Sequence, residues 1–167
     1  MFCWIVFNGE VYNFEEVKAE LSTKGHSFHS HSDTEMILHA YQEWGPACLE
    51  KFVGMFAFVL YDKQRHQLFC ARDRAGVKPF IYYWKDGLFL FTSEIKAFME
   101  HPRFERKLNL QAVRDYFKHG YIPGVQCIFQ DAFKLPPGHH MLVDLARGTH
   151  KIEKYWDVIS LYEQEKV

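Results

Sequence analysis

The sequence predicts an α+β layered domain built around antiparallel sheet, and three observations predict it. Apolar segments of strand length come in pairs joined by turn residues. Amphipathic segments with helix start and stop signals stand between them. The composition, 48% hydrophobic and 17% aromatic over 167 residues, supplies one sizeable core and excludes disorder.

Residues 2–8 form a near-continuous apolar run, the pattern of a strand covered on both faces, which Asn8-Gly9 is expected to end. Asn13 stands three residues before Glu16 in a capping-box arrangement, and Phe14, Val17 and Leu21 follow at helical spacing until Gly25. The spacing predicts a helix over 14–24. Ser32 with Glu35 repeats the pattern, and Met36, Ile37, Ala40, Tyr41 and Trp44 give an apolar face that Gly45-Pro46 stops, so a second helix is expected over 33–44.

From Gly54 the run Met-Phe-Ala-Phe-Val-Leu-Tyr, the turn 62–66 and the run from Gln67 to Ala71 read as strand, turn, strand. Residues 80–84 and 88–92 form another hairpin around Lys85-Asp86-Gly87. Ser93 is placed to cap a short helix through Met99, and Asn109 one through Lys118. The stretch 121–138, punctuated by Pro123-Gly124 and Pro136-Pro137-Gly138, reads as an ordered loop. Residues 140–145 and 150–156 make a last hairpin before the charged tail Glu163-Gln164-Glu165-Lys166.

With 20 basic and 21 acidic residues the net charge is −1, so no overall field attracts nucleic acid or an anionic membrane, and neither is expected as a partner. The four cysteines show no C-x-x-C spacing, which fits a reducing compartment. No signal-peptide pattern occurs, nor an apolar stretch near the ~18 residues of a membrane span, so the expected location is the cytoplasm. Met1-Phe2-Cys3-Trp4-Ile5-Val6-Phe7 is already an interior strand and reads as a chain entered midway.

Chemistry concentrates at Asn8-Gly9. An Asn-Gly pair after a buried strand sets a side-chain amide beside an exposed backbone N–H, the two donors an acyl-transfer oxyanion needs, although the pair taken alone reads first as a tight turn. Glu10 follows at once and Asp33 opens the next helix, so two carboxylates can converge there on a substrate ammonium; acids also suit helix starts for dipole reasons.

The blocks Val6-Phe7-Asn8-Gly9-Glu10-Val11-Tyr12-Asn13, His31-Ser32-Asp33-Thr34-Glu35 and Gly54-Met55-Phe56-Ala57-Phe58 stand in this order in the sequence. After them come Ala71-Arg72-Asp73-Arg74-Ala75-Gly76-Val77-Lys78-Pro79, Ser93-Glu94-Ile95-Lys96-Ala97 and Leu135-Pro136-Pro137-Gly138-His139. Together they resemble the glutaminase domain of the glutamine-hydrolysing asparagine synthetases, a class II glutamine amidotransferase, over residues 5–157. The resemblance implies an N-terminal-nucleophile hydrolase type of fold, a four-layer αββα sandwich with two antiparallel sheets, here incomplete at the N-terminus. It implies that the Asn8 side chain and the Gly9 N–H form the oxyanion hole, and that Glu10 and Asp33 bind the α-amino end of glutamine. The Arg72-Asp73-Arg74 run is read as a structural ion-pair network around the turn at Gly76.

The family's nucleophile is a cysteine at the mature N-terminus, using its own α-amine as base. That cysteine, the Arg-Gly-Pro-Asp segment and the carboxylate-gripping arginine of the family are missing from these residues, so no nucleophile is assigned. Cys3 does not substitute: in one strand it lies about 16 Å from Asn8, at ~3.3 Å per residue, and reads as a core thiol. Residues 158–167 are expected to be a linker toward an absent synthetase domain, which would hold ATP and Mg; no cofactor site is assigned here. His26, His29 and His31, and His139-His140, lack metal-ligand spacing, and no metal is assigned.

The expected function is part of a glutamine-dependent asparagine synthetase that is inactive alone, with glutamine and the synthetase domain as partners and a homodimer open to the intact protein. Two alternatives stand beside it: a non-catalytic module binding an amino acid or a partner chain, and an amidotransferase with another carboxylate acceptor.

Overall fold

The computed structural model of the chain describes residues 3–164. Met1 and Phe2 of the opening run, and Glu165 and Lys166 of the tail, lie outside the described residues. The chain divides into two compact units, one running to Lys78 and resuming at Pro137, the other Pro79–Pro136. None of the described helices is long and apolar enough to cross a membrane.

The first unit is built on a five-stranded antiparallel sheet. It comprises β1 (Cys3–Val11), β2 (Gly54–Asp62), β3 (Gln67–Arg72), β7 (His139–Asp144) and β8 (Thr149–Lys154), in that spatial order. Helices α1 (Phe14–Thr23), α2 (Asp33–Trp44) and the short α3 (Cys48–Lys51) pack on one face of it. Val17 and Leu21 of α1, and Met36, Ile37, Ala40 and Tyr41 of α2, meet Phe56, Phe58, Leu60 and Phe69 in a single core cluster. Each fully buried side chain of this kind stabilises the fold by about 1.5–3 kcal/mol. The opposite face of β2, β3 and β7 carries Ala57, Val59, Cys70, Met141 and Val143, also buried.

The expected opening strand differs in two ways. Asn8-Gly9 does not end it: β1 runs on through Val11, paired with β2 from Cys3↔Asp62 to Val11↔Gly54. Nor is it covered on both faces, because β1 is the sheet's edge and Trp4 and Val6 are 57% and 63% exposed. A continuous apolar run does not reveal which strand stands at an edge.

Helix α1 matches the periodicity, but Asn13 makes no capping bond. Its side chain instead staples the turn after β1 to the segment before β2, donating to the Lys51 carbonyl at 2.9 Å and accepting from the Val53 N–H at 2.9 Å. At α2 Ser32 does cap, accepting from the Thr34 N–H at 3.1 Å. Glu35 turns back onto the preceding loop and accepts from the His29 N–H (2.8 Å), the Ser30 N–H (2.7 Å) and the Ser30 hydroxyl (2.6 Å). The Ser30 hydroxyl, with the His29 N–H behind it, holds the Glu35 carboxyl at about 2.

In the second unit β4 (Ile81–Lys85) is flanked by β5 (Leu88–Thr92) and β6 (Ala132–Lys134) in a three-stranded antiparallel sheet. Its core is aromatic: Tyr83, Phe98, Phe104 and Phe129 interlock at ring separations of 5.0–5.4 Å through Phe104, with Cys127 and Ala132 beneath. Asn109 caps α4 (Leu110–His119) as its position foretold, accepting from the Gln111 and Ala112 N–H groups. The helix expected after Ser93 is a 3₁₀ helix over Ile95–Glu100, with Glu94 at its start and no side-chain cap. Strand β6 falls inside the stretch read as loop, since three residues are too few to show alternation. The chain's last described element is α5 (Val158–Gln164), within the expected linker.

All four cysteines are free, and burial pushes the Cys48, Cys70 and Cys127 thiols up, Cys127 to about 11. They serve as small apolar side chains.

Asp73, 1% exposed, joins β2 to the turn after β3. Its carboxylate accepts from the N–H groups of Phe56 (3.3 Å), Val77 (2.9 Å) and Lys78 (2.9 Å). Removing it strands one buried and two partly buried donors, so Asp73→Ala is expected to cost about 2–4 kcal/mol, read as a lower urea midpoint with unchanged slope.

Acid should loosen the first unit in two stages. Burial lowers the pKa of His39 and of His140, so the unfolded chain binds more protons than the folded one below the ordinary imidazole value of 6.5. Stability from these groups is therefore full above pH 6.5 and lost as pH falls through their folded values. Glu35 adds stability above 4.5 that is lost toward pH 2. Thermal midpoints measured from pH 8 to pH 3 should fall below 6.5, and the first drop should shrink in a His39→Gln, His140→Gln double variant.

Candidate glutamine-site wall

Backbone parity decides which groups of β1 are available. The Tyr12 N–H donates to the Val53 carbonyl at 2.8 Å, so Tyr12, Glu10 and Asn8 turn their peptide groups toward β2. On the far side, Phe56 is already engaged: the Asp73 N–H donates to its carbonyl at 2.8 Å, and its own N–H goes to the Asp73 carboxylate. Gly9 stands opposite Phe56, so theirs is the close, non-hydrogen-bonded kind of pair and the Gly9 N–H points off the open edge of the sheet.

That close approach is why the position is glycine. A Cβ on Gly9 would lie 2.1 Å from the Met55 carbonyl oxygen and 2.7 Å from the Phe56 Cα, and Gly9 has φ +143°. Gly54 answers from β2, where a Cβ would lie 2.2 Å from the Glu10 carbonyl oxygen. At both places a glycine lets the facing backbone come close.

Asn8 and Glu10 flank it. Both side chains are exposed, on the face of β1 that also carries Trp4 and Val6, and neither bonds another described residue. The fourth group comes from α2: Asp33 Oδ2 accepts from the Val11 N–H at 3.1 Å, the next peptide group that points off the same edge. This bond seats the start of α2 against the end of β1 and leaves Asp33 Oδ1 without a partner among the described residues. One side-chain amide, one backbone donor and two carboxylates thus gather within four residues of strand and one helix start. Such a set can stabilise an oxyanion on one side and an ammonium on the other.

The other sequence candidates fall elsewhere. Arg72 and Arg74 also bond main-chain oxygens: Arg72 reaches Lys78 at 2.8 Å and Gly76 at 2.8 Å, and Arg74 reaches Glu50 at 3.0 Å. Tyr155 closes the same corner, its hydroxyl donating to the Arg72 carbonyl at 2.8 Å. Cys3 pairs with Asp62 at the opposite end of β1, and burial raises its thiol pKa. Six residues of strand put it about 20 Å from Gly9. His26 and His39 face each other, Nδ1 to Nδ1 at 3.0 Å, and Glu43 lies 3.0 Å from His26 Nε2. Among the described residues no group of three or more histidine, cysteine or acidic side chains is placed to hold a metal ion.

Sequence reasoning missed Asn13 and Asp73 as the groups that hold this wall in place. The signal for Asp73 was present: an acid between two arginines, directly after an apolar strand and before a glycine turn, is placed to collect N–H groups of that turn.

Comparison with known proteins places the chain. A family model described as a glutamine amidotransferase domain matches residues 2–156. The putative asparagine synthetase [glutamine-hydrolyzing] 2 of Methanocaldococcus jannaschii is 37% identical over 168 residues, covering 98% of this chain and 32% of that protein. Asparagine synthetase [glutamine-hydrolyzing] 3 of Bacillus subtilis is 40% identical over 158 residues, covering 93% of this chain and 25% of that protein. The chain therefore spans a third or less of these relatives. Among solved structures, the glutamine phosphoribosylpyrophosphate amidotransferase of B. subtilis superposes with a TM-score of 0.65 at 17% identity, over 92% of this chain and 29% of that one. That likeness shows the fold, the N-terminal-nucleophile α+β type with two antiparallel sheets and helices. Matched over nearly its whole length by that family model and these relatives, the chain belongs to the glutamine amidotransferase family.

Proposed function

We propose that this chain forms the glutamine-binding wall of an asparagine synthetase glutaminase, with the attacking thiolate supplied by none of its described residues. The observation that carries the reading is the outward Gly9 N–H, flanked by the Asn8 amide and by the Glu10 and Asp33 carboxylates.

In the intact enzyme a thiolate adds to the side-chain carbonyl carbon of glutamine, and the carbonyl oxygen becomes an oxyanion. The Gly9 N–H and the Asn8 side-chain amide donate to that oxygen. Loss of one such donor typically slows acyl transfer by 10²–10³-fold. Glu10 and Asp33 Oδ1 take the α-ammonium and thereby fix which end of the substrate faces the donors. Collapse of the intermediate releases ammonia, which the intact enzyme passes to an aspartyl-adenylate; ATP and Mg belong to that second site, in a synthetase portion toward which residues 158–167 lead. The attacking thiolate is not Cys3, which lies at the wrong end of β1 with its pKa raised by burial.

Two measurements test this on the purified chain. L-Glutamine should shift the Gly9 backbone amide resonance, and Asn8→Ala should weaken binding by about 2–10-fold, the worth of one hydrogen bond. Glu10→Gln should weaken it further, since a charge-assisted contact is lost. An unmoved Gly9 resonance at saturating glutamine would sink the reading. No glutamate should be released from glutamine by the chain alone; release that disappears in Cys3→Ala would assign the thiolate here and refute the proposal.

A further inference from the structure

The second unit displays an apolar stripe that its own fold does not cover. On α4, Leu110, Val113, Tyr116 and Phe117 fall at i, i+3, i+6 and i+7, on one side of a helix that turns about 100° per residue. Core-facing helices show this pattern, yet Ala112 is the only buried residue of α4. Phe117 is 83% exposed and Leu110 68%, with Tyr116 also exposed and stacked edge-on against Phe117 at 6.0 Å. Tyr121 and Val125, just beyond the helix, are exposed as well. Arg114 and Lys118, both exposed, continue the surface on the next face around the helix. The Asn109 cap and Gly120, which ends the helix at φ +78°, hold α4 in shape whether or not anything lies on the stripe.

The size of the stripe points to its occupant. Its four side chains present on the order of 400–500 Å², about half of the ~800 Å² per partner found in freestanding complexes. A patch of this size serves a tethered neighbour, whose effective concentration is in the millimolar range, better than a second copy that must be recruited from solution. The chain aligns with only 25–32% of its asparagine synthetase relatives, each of which therefore carries a much larger portion on the same polypeptide.

We propose that the α4 stripe is the docking face for the synthetase portion of an asparagine synthetase, met by an apolar surface with carboxylates opposite Arg114 and Lys118. The proposal rests on the functional reading above for the nature of the partner, and on α4 alone for the place.

Hydroxyl-radical footprinting of the full chain and of intact B. subtilis asparagine synthetase 3 tests it. In the chain, Tyr116 and Phe117 should oxidise at the rate of free side chains; the residues at the matching helix positions of the intact relative should oxidise at least five-fold more slowly. A photoactivatable benzophenone side chain at the relative's counterpart of Phe117 should attach to residues beyond the segment matched by this chain. Equal oxidation rates, or attachment to a second copy or within the matched segment, would overturn the proposal. If the glutamine reading failed instead, the Gly9 resonance would stay unmoved while these footprints kept their expected difference.

Discussion

The site depends on one constraint, the contact of Gly9 with Phe56. Two strands approach so closely there that a β-carbon on Gly9 would strike the backbone of both Met55 and Phe56. Because Phe56 gives its N–H and its carbonyl to Asp73 on the far side, the peptide of Gly9 has no role in the ladder and faces outward. Asp73 thus does for β2 what one more residue of β3 would do, and it does so with a carboxylate that at the same time gathers the Val77 and Lys78 N–H groups into the following turn. Loss of this junction would disturb strand pairing and turn together.

An edge strand is ordinarily a hazard, since a row of unpaired backbone groups invites pairing with other chains. Here the two outward N–H groups at the end of β1 differ in fate. Val11 is answered within the fold by Asp33, and Gly9 is left open between two polar side chains. An interior strand could not have offered such a donor, because both of its ladders would be filled. A loop could have offered one without holding its direction.

Much of this was legible in the sequence. Both long helices, the strand pairs from Gly54 onward and the Asn109 cap follow from apolar period and punctuation, which are local properties. The strand length of β1 was not legible, because Asn-Gly is a turn signal wherever the chain has no partner strand and an extended pair wherever one is supplied. Asn13 misled for a similar reason: its amide satisfies two backbone groups about forty residues away, which is a better bargain than one capping bond but visible only in three dimensions. Carbonyl oxygens of a tight turn compete for guanidinium groups and carry no sequence signature of their own. The four site residues needed the family resemblance to be chosen at all, since Asn-Gly-Glu on its own reads as a turn.

Of the groups assigned to glutamine, only Asp33 also shapes the wall. Asp73 holds Phe56, Asn13 holds the turn after β1, Ser32 caps α2, and Glu35 holds the loop ahead of it, while Asn8 and Glu10 bond no described residue. Asp33 Oδ2 is taken by the Val11 N–H, and Oδ1 has no partner among the described residues. Donors set by backbone pairing need no reorganisation when charge develops on the substrate, which is the condition for electrostatic stabilisation of an oxyanion.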